Sequence, residues 1–142
     1  MKYLKKYKIF ESSEHFESMV NMNLIQDIKD LSLDYLDDGY IISYVVKSIH
    51  PEFVDYALLA GRLSTSDELN SSLSKWEHWT NYKPEYIDEV KESINKYGLT
   101  YFFRLKEKKE GSLLRLLTMK DAQVDILSRI RGMYPHEKIE II

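Results

Sequence analysis

The chain has 142 residues, 44% of them hydrophobic, which suits one domain around one core and is short for two. It contains no cysteine, so disulfides, thiolate metal ligands and a thiol nucleophile are excluded, and an intracellular, reducing setting suits it. The net charge of −3 is unevenly spread: residues 1–10 hold four lysines and no acid, residues 11–38 eight acids against one lysine, residues 39–95 nine acids against five bases, and residues 96–142 ten bases against six acids. Such blocks either pair within the fold or steer a charged partner.

No apolar run approaches the roughly 20 residues of a membrane helix. The N-terminus also lacks the apolar core of a secretory signal. The expectation is a soluble, non-secreted protein without membrane contact.

Residues 1–11 read as a basic amphipathic arm, with Leu4, Tyr7 and Phe10 at helical spacing among Lys2, Lys5, Lys6 and Lys8. The arm either packs its aromatics on the domain of residues 12–142 or serves as a detachable targeting segment. Its pattern of Lys and aromatic residues, closing in Phe10-Glu11, resembles the starts of small uncharacterised proteins of large tailed bacteriophages. Some proteins carried in the heads of such phages begin with a short Lys-containing peptide that a maturation protease removes after Leu or Ile, any residue, Glu. Ile9, Phe10 and Glu11 fit that processing pattern. Ile87-Asp88-Glu89 and Leu105-Lys106-Glu107 fit it as well, and only position near the terminus singles out the first. The resemblance implies a phage-type structural or interaction protein, in the cytoplasm of a host cell or in a virion.

From Ser13, Phe16, Met19 or Val20, Leu24, Ile28, Leu31 and Tyr35 recur at steps of three and four, predicting a long amphipathic helix. Asn21 to Asn23 is a break point, so two shorter helices are the alternative. Asp37, Asp38 and Gly39 end it, the acids opposing the helix dipole and the glycine being free to turn left-handed. Tyr40 to Lys47 is β-branched and aromatic on both faces, which predicts a central strand. Pro51 and Gly61 bracket Glu52 to Ala60 as a short helix, with the second strand of a hairpin as competitor.

Residues 62–81 are undecided. Thr65 with Glu68 has the form of a capping box ahead of Leu69, Leu73 and Trp76. Trp76, Trp79 and Tyr82 form an aromatic group that is either satellite core or a protein interface. Pro84 to Tyr97 predicts a firm helix stopped by Gly98. Leu99 to Lys106 alternates as a half-buried strand, and Ser112 to Thr118 returns as its hairpin partner, although its leucines also suit a helix. Thr118 with Asp121 caps a helix whose stripe is Met119, Ala122, Ile126, Leu127, Ile130 and Met133. A last strand covers Lys138 to Ile142.

No motif for catalysis, metal or cofactor is present: His15, His50, His78 and His136 stand singly, and no Gly-rich loop cradles a phosphate. The expectation is a non-enzymatic protein without cofactor. Its fold class is α+β, an antiparallel sheet of about four strands in ferredoxin-like, split βαβ order with an added N-terminal helix and helices packed on the sheet. Two functions follow: a structural module that binds a protein partner or itself, or one that binds single-stranded nucleic acid on an open sheet face through Phe102, Arg104, Lys106 and Arg115.

Overall fold

A computed structural model describes residues 16, 18–49, 55–65, 78–79, 82–107 and 113–142, with the backbone alone at 78–79, 107 and 113–118. The arm of residues 1–11, including Ile9, Phe10 and Glu11, and the residues around Thr65, Glu68 and Trp76 lie partly or wholly outside the described residues.

The fold is α+β. Its centre is β1 (Tyr40–Ile49), where Tyr40, Ile42, Tyr44, Val46 and Ser48 are buried on one face while Ile41, Ser43, Val45 and Lys47 are half-buried on the other. β1 lies between β2 (Asp55–Leu63) and β4 (Thr100–Glu107), antiparallel to both. A two-residue strand, β3 (His78–Trp79), borders β2, and β5 (Lys138–Ile141) borders β4, in the order β3-β2-β1-β4-β5.

Three expectations are corrected here. The helix expected over Glu52 to Ala60 is not found where that stretch is described: Asp55–Leu63 is a strand, the competitor reading. Its alternation is hidden by a bulge, because Val46 opposes Leu59 while Lys47 opposes Ala57, and the skipped Leu58 is buried beside Leu59. Of the strand expected over Ser112 to Thr118, the described part, from Leu113, is helical instead, since a single helix, α4, runs through Leu113–Met133 and Thr118 does not start it. The sheet is therefore mixed rather than antiparallel: β4, α4 and β5 form a crossover whose two strands pair directly in parallel, so the βαβ unit is not split.

The four described helices stand on the same face of the sheet. α1 (Met22–Leu31) starts at Asn21, whose side chain accepts from the Leu24 amide, so the expected break falls where the asparagines are. α2 (Leu33–Asp37) follows a second break at Ser32, whose hydroxyl donates back to the Ile28 carbonyl at 2.6 Å. α3 (Pro84–Tyr97) has Pro at its start and Gly98, at φ 75°, behind it. Hydrogen bonds stitch this layer down. The Asn21 amide donates to the Tyr101 hydroxyl at 2.7 Å, the Tyr134 hydroxyl donates to Asp27, and the Ser48 and Ser93 hydroxyls share a bond of 2.9 Å. Between layers lie Phe16, Leu24, Ile28, Ile42, Leu58, Phe103, Ile126, Ile130 and Ile139, all fully buried, each burial stabilising by about 1.5–3 kcal/mol.

α4 also closes the free edge of the sheet. The Leu105 amide lies on the side of β4 beyond the end of β5, and the Gln123 side chain accepts from it at 2.9 Å. Because the Ile142 amide bonds inward to the Phe103 carbonyl, the ladder turns the Ile139 carbonyl outward, and the Arg131 guanidinium donates to it at 2.7 and 3.1 Å. An edge so covered resists pairing with another chain.

Three tyrosines in the helix–sheet layer hold their protons late. Burial pushes the Tyr82 and Tyr101 phenols up to about 12, and the Tyr134 phenol reaches about 12 through its hydrogen bond to Asp27. In the unfolded chain a tyrosine ionises near about 10. Unfolded protein thus releases these protons first, and stability that is complete below pH ~10 declines as pH rises toward 12. Melts across that window should show a steady fall in Tm; a flat Tm would contradict the assignment. Ile126→Ala should cost about 2–5 kcal/mol in urea unfolding. Arg131→Ala should expose the β5 edge and raise the self-associated fraction in size-exclusion chromatography.

Candidate nucleic-acid interface

The face of the sheet opposite the helices is built by the residues that alternate with the core. Register places Arg62, Ser43 and Arg104 in one row across β2, β1 and β4, with Ala60, Val45, Phe102 and Glu140 in the next. Ala57, Lys47, Thr100 and Lys138 form a third row, and Ile41 opposes Lys106 at the other end. Neighbouring strands lie about 4.8 Å apart, and residues two apart on one strand about 6.8 Å. Five cations thus lie within a few strand spacings of the half-exposed Phe102 ring, and the Lys47 ammonium sits 5.5 Å from the ring centroid.

The expected sheet residues Phe102, Arg104 and Lys106 do share this face, on alternate positions of β4, with Arg104 and Lys106 exposed. Arg115 does not join them, because its backbone belongs to α4 and not to a strand. Lys47, Arg62 and Lys138 complete the basic group and were not legible as part of it. Arg62 follows a stretch whose period the bulge conceals, and Lys138 reaches β4 only through the parallel crossover. Two acids share the face, Asp55 opposite Ile49 and Glu140; the latter is 3.2 Å from Arg131 in a half-exposed pair.

Three helices of the opposite layer have the opposite sign. α1, α2 and α3 together carry eight acids against three lysines. α4, in the same layer, is by contrast basic, with Arg115, Lys120, Arg129 and Arg131 against Asp121 and Asp125, so the acidic part of the helical side is α1 to α3, and it stands opposite a basic sheet face.

Of the aromatic group, Tyr82 packs into the fold. Its ring meets Phe16 and Tyr56 edge-on at 6.1 and 5.9 Å, and its hydroxyl donates to the Ala57 carbonyl at 3.0 Å. Trp79 lies on β3 at the register position of Leu59, and Trp76 lies outside the described residues. Among the described residues no three His, Asp or Glu side chains converge to hold a metal ion, and no helix is long and apolar enough to cross a membrane.

No protein-family model, curated protein or solved structure matches this chain.

Proposed function

We propose that the chain is a small non-enzymatic binding module that holds single-stranded nucleic acid across the open face of its sheet. One observation carries the reading: Lys47, Arg62, Arg104, Lys106 and Lys138 surround the partly exposed Phe102 on one face, while α1, α2 and α3 behind it carry eight acids against three lysines. Aromatic stacking supplies sequence-tolerant contact with bases, and the cations meet the phosphates. The same pairing of charge and ring on the sheet face gives little to an apolar protein partner.

Labelled oligo(dT) and oligo(U) should bind at low salt in fluorescence anisotropy. If each of five cations meets one phosphate, the plot of log affinity against log salt falls with a slope of about −3.5. Phe102→Ala should weaken binding by about 1–3 kcal/mol. Arg104→Ala should weaken it for every sequence and make the slope shallower by about 0.7. An unchanged anisotropy at low salt with both oligomers would reject this function and leave a protein-binding module in its place.

A further inference from the structure

At the corner where β1 ends, β4 and β5 begin and α3 stops, an open depression of about 490 Å³ is lined by Ile49, Lys96, Tyr97, Thr100 and Lys138. It continues the basic face, because Thr100 is the register partner of both Lys47 and Lys138. Its walls combine an aliphatic side chain, a half-buried phenol ring, a hydroxyl and two ammonium groups. The Lys138 ammonium donates to the Tyr97 carbonyl at 2.8 Å, which anchors it at the rim and meets the exposed carbonyl at the end of α3. That contact uses one of its three protons, and two remain for a ligand. The Lys96 ammonium lies 5.4 Å from the centroid of the Tyr97 ring.

Beyond Tyr97 the sign reverses. A smaller hollow shares Lys96 and Tyr97 but is lined on its far side by Glu89, Glu92, Ser93 and Tyr56. The Tyr56 hydroxyl donates to Glu89 at 2.7 Å, a contact that raises the phenol's pKa. Because Ser93 bonds Ser48 on the core face, this second hollow opens on the helical side of Tyr97, where carboxylates replace the cations of the sheet face.

We infer that this corner is an end-binding subsite, taking the terminal nucleotide of a single strand with a terminal phosphate between Lys96 and Lys138 and the base against Tyr97 and Ile49. A terminal phosphate carries more charge than an internal diester and offers more acceptor oxygens, which suits two ammonium groups better than one. The inference rests on the proposed nucleic-acid reading and adds to it a preference for ends over the interior of a strand.

The test compares oligo(dT) of one length with a 5′-phosphate, with a 3′-phosphate, with neither, and closed into a circle, each titrated with the full chain. One phosphorylated end should bind about tenfold tighter than the unphosphorylated strand, and the circle should bind no better than the latter. The exposed Lys96→Gln should erase that difference while leaving the unphosphorylated strand bound as before, and Lys138→Gln should erase it while also weakening the unphosphorylated strand, as the loss of any of the five face cations does. Phe102→Ala should weaken all four ligands and keep their ratio. Glu92→Gln should let the circle gain on the phosphorylated strand. Equal affinity of all four ligands for the wild-type chain would overturn the end-binding subsite and leave the open-face reading standing; binding of none would overturn both.

Discussion

Everything in this fold depends on the two-sided pairing of β1. With hydrogen-bonded neighbours on both edges, its alternation alone decides which face is core, and a slip of one residue would exchange Tyr40, Ile42, Tyr44 and Val46 for Ile41, Ser43, Val45 and Lys47. The neighbours inherit that choice through register, so Tyr101, Phe103 and Leu105 on β4 and Ile139 on β5 fall on the helical side. The bulge in β2 is the local adjustment that lets two consecutive leucines, Leu58 and Leu59, both reach the core. Once one face is committed to the helices, the other necessarily carries the alternating residues, and these are where the cations of β1, β2, β4 and β5 lie.

The separation of charge follows from that same geometry. The acids of α1, α2 and α3 occupy helix positions, and Lys47, Arg62, Arg104, Lys106 and Lys138 occupy strand positions that face away from the core, so an acidic group of helices and a basic sheet face end on opposite sides of one layer of apolar side chains. A net charge of −3 would by itself argue against an anionic partner. The local field at the sheet argues for one, since association responds to the potential of the approached face more than to the total. At the corner beside Tyr97 the two regions meet, which gives the basic tract a boundary.

The sheet offers its face and withholds its edge. Gln123 and Arg131, both on α4, occupy the outward backbone groups of Leu105 and Ile139 that another strand would otherwise use. Arg131 has a second effect, since its pair with Glu140 reduces the influence of the one acid beside Phe102. The pair is half-exposed and screened, so its contribution to stability is small, about 0–1 kcal/mol.

Local chemistry was enough to determine several elements. Pro84 and Gly98 bracket α3 as read, Asn21 caps α1 at the expected break, Ala122, Ile126 and Ile130 form the buried stripe of α4, and the β-branched run from Tyr40 is the central strand. Phe102, Arg104 and Lys106 share a face because a strand's period of two requires it. What only the tertiary structure decided depends on partners far along the chain. Residues 55–63 are a strand because β1 lies beside them, and their bulge erases the alternation that would have revealed it. Leu113 to Thr118 extend a helix because β5 takes the place beside β4 that a hairpin strand would have filled, and a short leucine-rich run carries no preference of its own strong enough to choose. Lys47, Arg62 and Lys138 come together on one face through three separate ladders, and register between strands is fixed by packing across the sheet rather than by any spacing along the sequence.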